Sequence, residues 1–244
     1  SWSQGYKGPG FNVYYNMKPT EIDEISSEQS DAFELGLKYS IKDLRINTAL
    51  FYTEIDDFQA NNFDCSTGVC ITRLTNAGKV TTKGVELDMK WQPLSQFNVS
   101  LSAAYVRAQI DKFNCPDSEV CTDRSDLAVP FAPKLRYMLA GNYEHSLSDY
   151  DLIFYATYSY SDQLYSELPN ASGQFNPASR LKEVDILNAG IAISSKDNTH
   201  SLTFIGKNLL DKHYAATYSG DNFRYQIPRL ADRHFGLSYT YNFN

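Results

Sequence analysis

The chain has 244 residues, a formal net charge of −7 and a pI near 5.1, which argues against a nucleic-acid partner, since that requires a basic stripe. No stretch reaches the eighteen or so consecutive apolar residues that a transmembrane helix needs, yet 18 tyrosines and 14 phenylalanines are residue types enriched at bilayer interfaces. A mean hydropathy of −0.42 leaves a membrane barrel open, because barrel strands alternate apolar and polar positions and average to a hydrophilic score.

Ser1 to Lys7 reads as the end of a strand already under way, so the chain is expected to be a piece of a longer protein. An irregular stretch follows, holding Tyr14, Tyr15 and the acidic run Glu21-Ile22-Asp23-Glu24, which reads as a solvated loop face. A strand is predicted from Glu28 to Ile41, with Phe33, Leu35, Leu37 and Tyr39 on one face and Glu34, Gly36 and Lys38 on the other. Lys42-Asp43 turns it, and Leu44 to Gln59 returns with Leu44, Ile46, Leu50 and Tyr52 on the apolar side. A long loop to Asn76 holds Cys65 and Cys70. Lys79 to Gln92 and Phe97 to Ile110 form the next hairpin, across Pro93-Leu94-Ser95.

Cys115 and Cys121 lie in the loop from Asp111 to Phe131. Lys134 to His145 and Asp151 to Tyr165 make a third hairpin. A loop from Ser166 to Lys182 precedes a fourth, Glu183 to Ser195 and Thr199 to His213, across Lys196-Asp197-Asn198. Tyr214 to Pro228, with Phe223, Arg224 and Tyr225, leads to a final strand within Arg229 to Asn244. There Phe235, Leu237, Tyr239, Tyr241 and Phe243 alternate with His234, Gly236, Ser238, Thr240 and Asn242.

Short turns thus alternate with long loops, the asymmetry of transmembrane barrels. The apolar faces of the best strands carry no Lys, Arg, Asp or Glu; a lipid-facing Arg or Lys at mid-bilayer costs about 2–4 kcal/mol. A strand of about fourteen residues, rising ~3.3 Å each at a tilt of ~45°, climbs roughly 33 Å, enough to cross the apolar band. The expected fold class is all-β, a transmembrane antiparallel β-barrel. If the chain end is periplasmic, both cysteine loops fall outside. A four-cysteine metal site is the alternative for Cys65, Cys70, Cys115 and Cys121, but five residues separate Cys115 from Cys121, beyond the usual two to four, and two local disulfides in an oxidising compartment are expected.

Four stretches go further. Asn76 to Leu87, NAGKVTTKGVEL, is similar to the NAG…KGVEL strand opening of TonB-dependent receptors. Lys207 to Tyr214, KNLLDKHY, resembles the KNLxDxxY strand exit of that family, and Ser1 to Asn12, SWSQGYKGPGFN, its SYSxGFKxGGFN strand end. With Phe33 to Lys38, FELGLK, they stand in the family's order. The chain departs from the pattern at its end, Phe243-Asn244, where such barrels commonly finish on the aromatic.

The resemblance implies an outer-membrane barrel of about 22 strands closed by an N-terminal plug. Residues 1–244 would be its last ten or so strands, with the plug, the first barrel strands and the TonB box outside this sequence. It implies TonB-dependent active import of a large scarce nutrient across the outer membrane of a Gram-negative bacterium, with no bond made or broken and no cofactor. A ferric siderophore is the first expectation; cobalamin, haem or an oligosaccharide, or a passive pore, are the alternatives. Implied partners are outer-membrane lipid, the TonB complex through the missing N-terminal region, the protein's own plug and remaining strands, and an extracellular small-molecule substrate.

Tyr14, Tyr15, Phe223, Arg224 and Tyr225 are the candidate ligand contacts, weighed against loop packing. Gly78 and Gly84 suit a bend or bulge, and Asn208 and Asp211 a strand exit held by side-chain-to-backbone bonds. The lumen-facing charges Glu34, Lys38, Glu86, Asp88, Lys134 and Arg136 are expected to pair with one another or with the plug. Asp232 and His234, two apart on the polar face, are the residues a barrel hydrolase would use as orienter and base; no serine motif accompanies them.

Overall fold

Ten strands follow one another in one antiparallel sheet: β1 (Trp2–Lys7), β2 (Glu28–Ile41), β3 (Leu44–Asp56), β4 (Gly78–Leu94), β5 (Phe97–Phe113), β6 (Leu135–Ser146), β7 (Tyr150–Ser161), β8 (Val184–Ser195), β9 (His200–Lys207) and β10 (His234–Tyr241). The structure is a computed structural model, and it describes residues 1–12, 24–64, 71–113, 126–168, 174–218, 225–229 and 231–243. Each strand pairs with its chain neighbours, and β1 and β10 are the two edges of an unclosed wall. Tight turns join β2–β3, β4–β5, β6–β7 and β8–β9 at one end. The long connections lie at the other. Four of them carry small ribbons, Gly10–Phe11 with Glu24–Ile25, Gln59–Asp64 with Ile71–Asn76, Leu164–Tyr165 with Arg180–Leu181, and Thr217–Tyr218 with Tyr225–Gln226. In the fifth, Leu127–Ala128 adds to the edge of β5.

The register keeps the two faces apart over the whole wall. One row runs Tyr39, Ile46, Met89, Leu101, Leu139, Tyr158, Leu187 from β2 to β8 without a charged residue. The row one residue away runs Lys38, Asn47, Asp88, Ser102, Met138, Ser159, Ile186. A slip of one residue in any strand would exchange these faces.

The apolar face is the open one: Leu35 is 72% exposed, Leu237 71% and Leu37 62%. Among the described residues, no second layer covers it. The buried hydrophobics, Ile25, Ala77, Val80, Ile110, Phe113, Leu181 and Ala231, lie instead in the long connections and at the adjoining strand ends. Burial is therefore the reverse of a soluble sandwich, and the solvent for the leucine side is lipid. From Val85 to Leu94 the apolar stretch of β4 covers ~30 Å of strand, roughly 21 Å of height at a ~45° tilt, close to the ~25 Å band of such barrels.

Several boundaries differ from the sequence expectation, each for a local reason. β9 stops at Lys207 rather than His213, because Asn208 (φ 47°) and Asp211 (φ 56°) enter the left-handed region and leave the ladder. β3 stops at Asp56, before Asp57 at φ 53°. β4 runs through Pro93 to Leu94, and an irregularity between Trp91 and Leu94 lets the turn close at Ser95-Gln96. β7 ends at Ser161, and Leu164–Tyr165 joins a loop ribbon instead. Gly78 does open a bend, with φ 112° and a bulge one step on, where Asp111 is skipped between Val80 and Lys79. Gly84 does not: the ladder is unbroken there, and a close side-chain contact explains it instead.

Candidate ligand-facing site at the long-loop end

The long-loop ends of β1 to β4 are tied together by three amide side chains. Asn76, first residue of the NAGK segment, donates to the carbonyls of Ser26 (3.0 Å) and Asp57 (2.8 Å) and accepts from the Ser26 N–H (2.8 Å). Asn12 mimics a strand partner, donating to Leu74 O at 2.7 Å and accepting from Leu74 N at 2.8 Å. Gln59, 6% exposed, donates to Gly8 O and Ser26 O at 3.0 Å each, while its own N–H meets Glu28 Oε2 at 2.8 Å. Phe58 adds two backbone bonds to this frame, accepting from the Ala77 N–H and donating its own N–H to Gly78 O.

Held by this frame, Val80 and Ile110 face each other on the inner side of the wall and join Ala77 and Phe113 in a buried cluster. Phe58, Ala60, Val129 and Leu168 close around it, leaving a cavity of about 290 Å³ whose lining is apolar except for Gln59. Such a surface takes an uncharged ring or aliphatic group and offers no cation to an anionic one. The sequence carries a signal for it that alternation alone passes over. Ile55, Val80 and Ile110 place three apolar residues side by side at one height on the lumen face of β3, β4 and β5.

A second group of loops interlocks beside it. Ser166, 6% exposed, donates through Oγ to Ser179 O and Tyr218 O (3.3 Å each) and accepts from Tyr218 N at 3.1 Å. Tyr225, 51% exposed, donates its hydroxyl to Ala178 O at 3.1 Å and sits 5.3 Å from the Tyr218 ring. Its hydroxyl edge is therefore committed to loop packing while one ring face stays open. Tyr14, Tyr15, Phe223, Arg224, Cys65, Cys70, Cys115 and Cys121 lie outside the described residues.

Below the cavity the lumen wall carries charged and hydroxyl side chains. Asp88 accepts from Ser102 Oγ at 2.6 Å and Arg136 Nε donates to Ser161 Oγ at 3.3 Å. Among the described residues, none of Glu34, Lys38, Glu86, Asp88, Lys134 and Arg136 pairs with another of the six, so that half of the expectation is not met within this wall. Glu86, Asp88 and Arg136 instead border an open recess of about 500 Å³. Asp232 and His234 do not form a base and its orienter: His234 Nδ1 lies 2.9 Å from the Asp232 backbone oxygen, not its carboxylate.

The KNLLDKHY exit holds by side-chain-to-backbone bonds at Asn208, as expected, whereas the Asp211 carboxylate meets a side chain, Arg233, and not the backbone. Asn208, 4% exposed, donates to Lys212 O (2.9 Å) and Ala231 O (2.6 Å) and accepts from Lys212 N (3.0 Å), while Asn188 Oδ1 takes its own N–H at 2.9 Å. Asp211 pairs with Arg233 at 3.1 Å and Lys212 with Asp185 at 2.8 Å, which fastens the last long connection to β8 and to the approach of β10.

Residues 1–209 match the family model described as TonB dependent receptor-like, beta-barrel. The pesticin receptors of Yersinia enterocolitica and Yersinia pestis are 32% identical over 135 residues, 54% of this chain and 18% of theirs. The ferric yersiniabactin uptake receptor of Yersinia pestis superposes on 100% of this chain and 34% of its own, with a TM-score of 0.77 at 22% identity. A siderophore receptor of Acinetobacter baumannii covers 89% of this chain and 29% of its own, with a TM-score of 0.67 at 21% identity. The chain thus spans about a third or less of the length of the proteins it matches.

Proposed function

This chain belongs to the TonB-dependent receptor β-barrel family, and from that premise we propose that it is the C-terminal part of a plugged outer-membrane barrel that imports a ferric siderophore. The family match over residues 1–209 carries the reading. The iron cargo rests on the names of its relatives, a ferric yersiniabactin uptake receptor and a siderophore receptor among them. In this reading the tight turns are periplasmic and the long connections extracellular. The complex settles among the long loops against the apolar cavity, and the plug, supplied by the rest of the protein, is moved by the partner TonB to let it pass. Chemistry on the substrate is not required; binding, orientation and release suffice. The uncharged cavity around Val80 and Ile110 favours a chelate that presents a neutral ring or aliphatic edge.

The test is growth of a strain deleted for the whole gene, under iron limitation, on defined iron sources. Restoration of growth on one ferric siderophore by the intact gene, and its loss in a strain lacking TonB, is the expected result. Rescue by haem or cobalamin instead, or rescue independent of TonB, would turn the reading toward the other cargoes or a passive pore.

A further inference from the structure

We propose that Lys83 and Arg107 form a binding site for the phosphorylated headgroup of an outer-leaflet lipid, on the outside of the barrel wall. The proposal rests on the outer-membrane placement above but not on the cargo. The two residues are direct cross-strand partners on β4 and β5, and Lys83 also opposes Tyr52 on β3. They share the outward face with the next pair along, Val85 and Tyr105, and both are exposed.

Like charges placed directly opposite in a sheet repel, so the pair calls for an anion. Among the described residues, the nearby carboxylates are engaged elsewhere. Glu54 takes Lys79 and the Tyr52 hydroxyl, Asp56 also faces Lys79 at 3.6 Å, Asp111 takes Thr81 Oγ1, and Asp126 takes Gln109 Nε2 at 2.5 Å. Among the described residues, neither Lys83 nor Arg107 makes an ion pair.

Height identifies the anion. Lys83 stands eleven residues from Leu94 on β4, ~36 Å of strand and roughly 26 Å of rise at a ~45° tilt, the upper edge of a ~25 Å apolar band. Tyr52 and Tyr105 occupy that level as girdle residues do. A guanidinium fork beside an ammonium matches a phosphate monoester, and Leu50, Val85 and Leu87 below offer a wall for acyl chains. A free phosphate ion would use the cations alone; a lipid uses both.

The whole receptor, purified in neutral detergent, is titrated with lipid A carrying its phosphates and with the same lipid dephosphorylated, and bound lipid is counted by native mass spectrometry. Saturable binding of the phosphorylated lipid is expected, weakened about 30-fold by Lys83→Gln with Arg107→Gln and unchanged by Lys38→Gln on the opposite face. Arg107→Lys, which keeps the charge and loses the fork, should fall between. Equal binding by the double variant, equal binding of the dephosphorylated lipid, or displacement by inorganic phosphate at matched concentration would each overturn the proposal. Siderophore binding by the same preparation is measured separately, so that failure of the cargo assignment and failure of the lipid site give different results.

Discussion

The ring of Phe51 occupies the space that a side chain at Gly84 would need. The two are cross-strand partners on β3 and β4, and a Cβ on Gly84 would stand 2.8 Å from Phe51 Cζ and 2.2 Å from the Tyr105 carbonyl oxygen. The glycine of the KGVEL segment is thus a seat for an aromatic ring lying flat on the lumen wall. Tyr155 repeats the arrangement over Gly190, with its hydroxyl 2.3 Å from a Cβ there. Gly84→Val is expected to destabilise the barrel by about 1–3 kcal/mol, the usual cost of overpacking. The temperature at which the folded band disappears in heat-modifiability gels measures it, and Phe51→Ala in the same background should return part of the loss.

Asn208 answers three backbone groups from a buried, left-handed position. Asn208→Leu keeps the bulk and removes every one of those bonds. A loss of about 1–3 kcal/mol for each backbone group left buried and unpaired is expected, larger than for most loop substitutions. Urea unfolding of the purified protein in detergent reads it, and Asn208→Asp should retain the single bond from Lys212 N.

The turn between β8 and β9 carries its own pH dependence. Hydrogen bonds from Ser195 Oγ (2.5 Å), then from the Thr199 N–H (3.0 Å) and hydroxyl (2.8 Å), hold the Asp197 carboxyl down at about 2. Because the folded value lies below that of the unfolded chain, the stabilisation is fully present above about pH 4 and is lost as pH falls toward 2. Protection of the Thr199 and His200 amides, taken relative to intrinsic exchange at each pH, should fall across that window, whereas in Asp197→Asn it should be low and independent of pH.

Phe58 closes one side of the apolar cavity and is not itself fully buried. Phe58→Ala is expected to weaken binding of the transported chelate about 10-fold while the protein still inserts and folds. Isothermal titration with the ferric complex identified by the growth assay checks it.

Much of this wall is legible in the sequence because a barrel strand states its two solvents one residue apart. Phe33-Glu34-Leu35-Gly36-Leu37-Lys38 gives β2, its faces and its span without reference to any other strand. The limits of β9 are less legible, since the apolar rhythm runs on through Leu209 and Leu210 and only the left-handed turn at Asn208 ends the ladder. The cavity was less visible still. Val80 and Ile110 become a pair only through the register of β4 with β5, and Phe58, Val129 and Leu168 reach them from three different connections. Of Tyr14, Tyr15, Phe223, Arg224 and Tyr225, Tyr225 alone falls within the described residues, where its hydroxyl is used for packing. Aromatic or cationic character in a loop does not distinguish a ligand contact from a strut.

The most direct measurement is a nitroxide scan of β2 and β10 in the whole protein reconstituted into lipid bilayers, reading accessibility to oxygen and to a water-soluble nickel complex. Labels at Leu35, Leu37 and Leu237 should be open to oxygen and shielded from nickel, with labels at Gly36, Lys38 and Ser238 showing the reverse. If the leucine positions were reached by nickel, or shielded from both reagents, the outward face would not be a lipid face and the barrel account would fail.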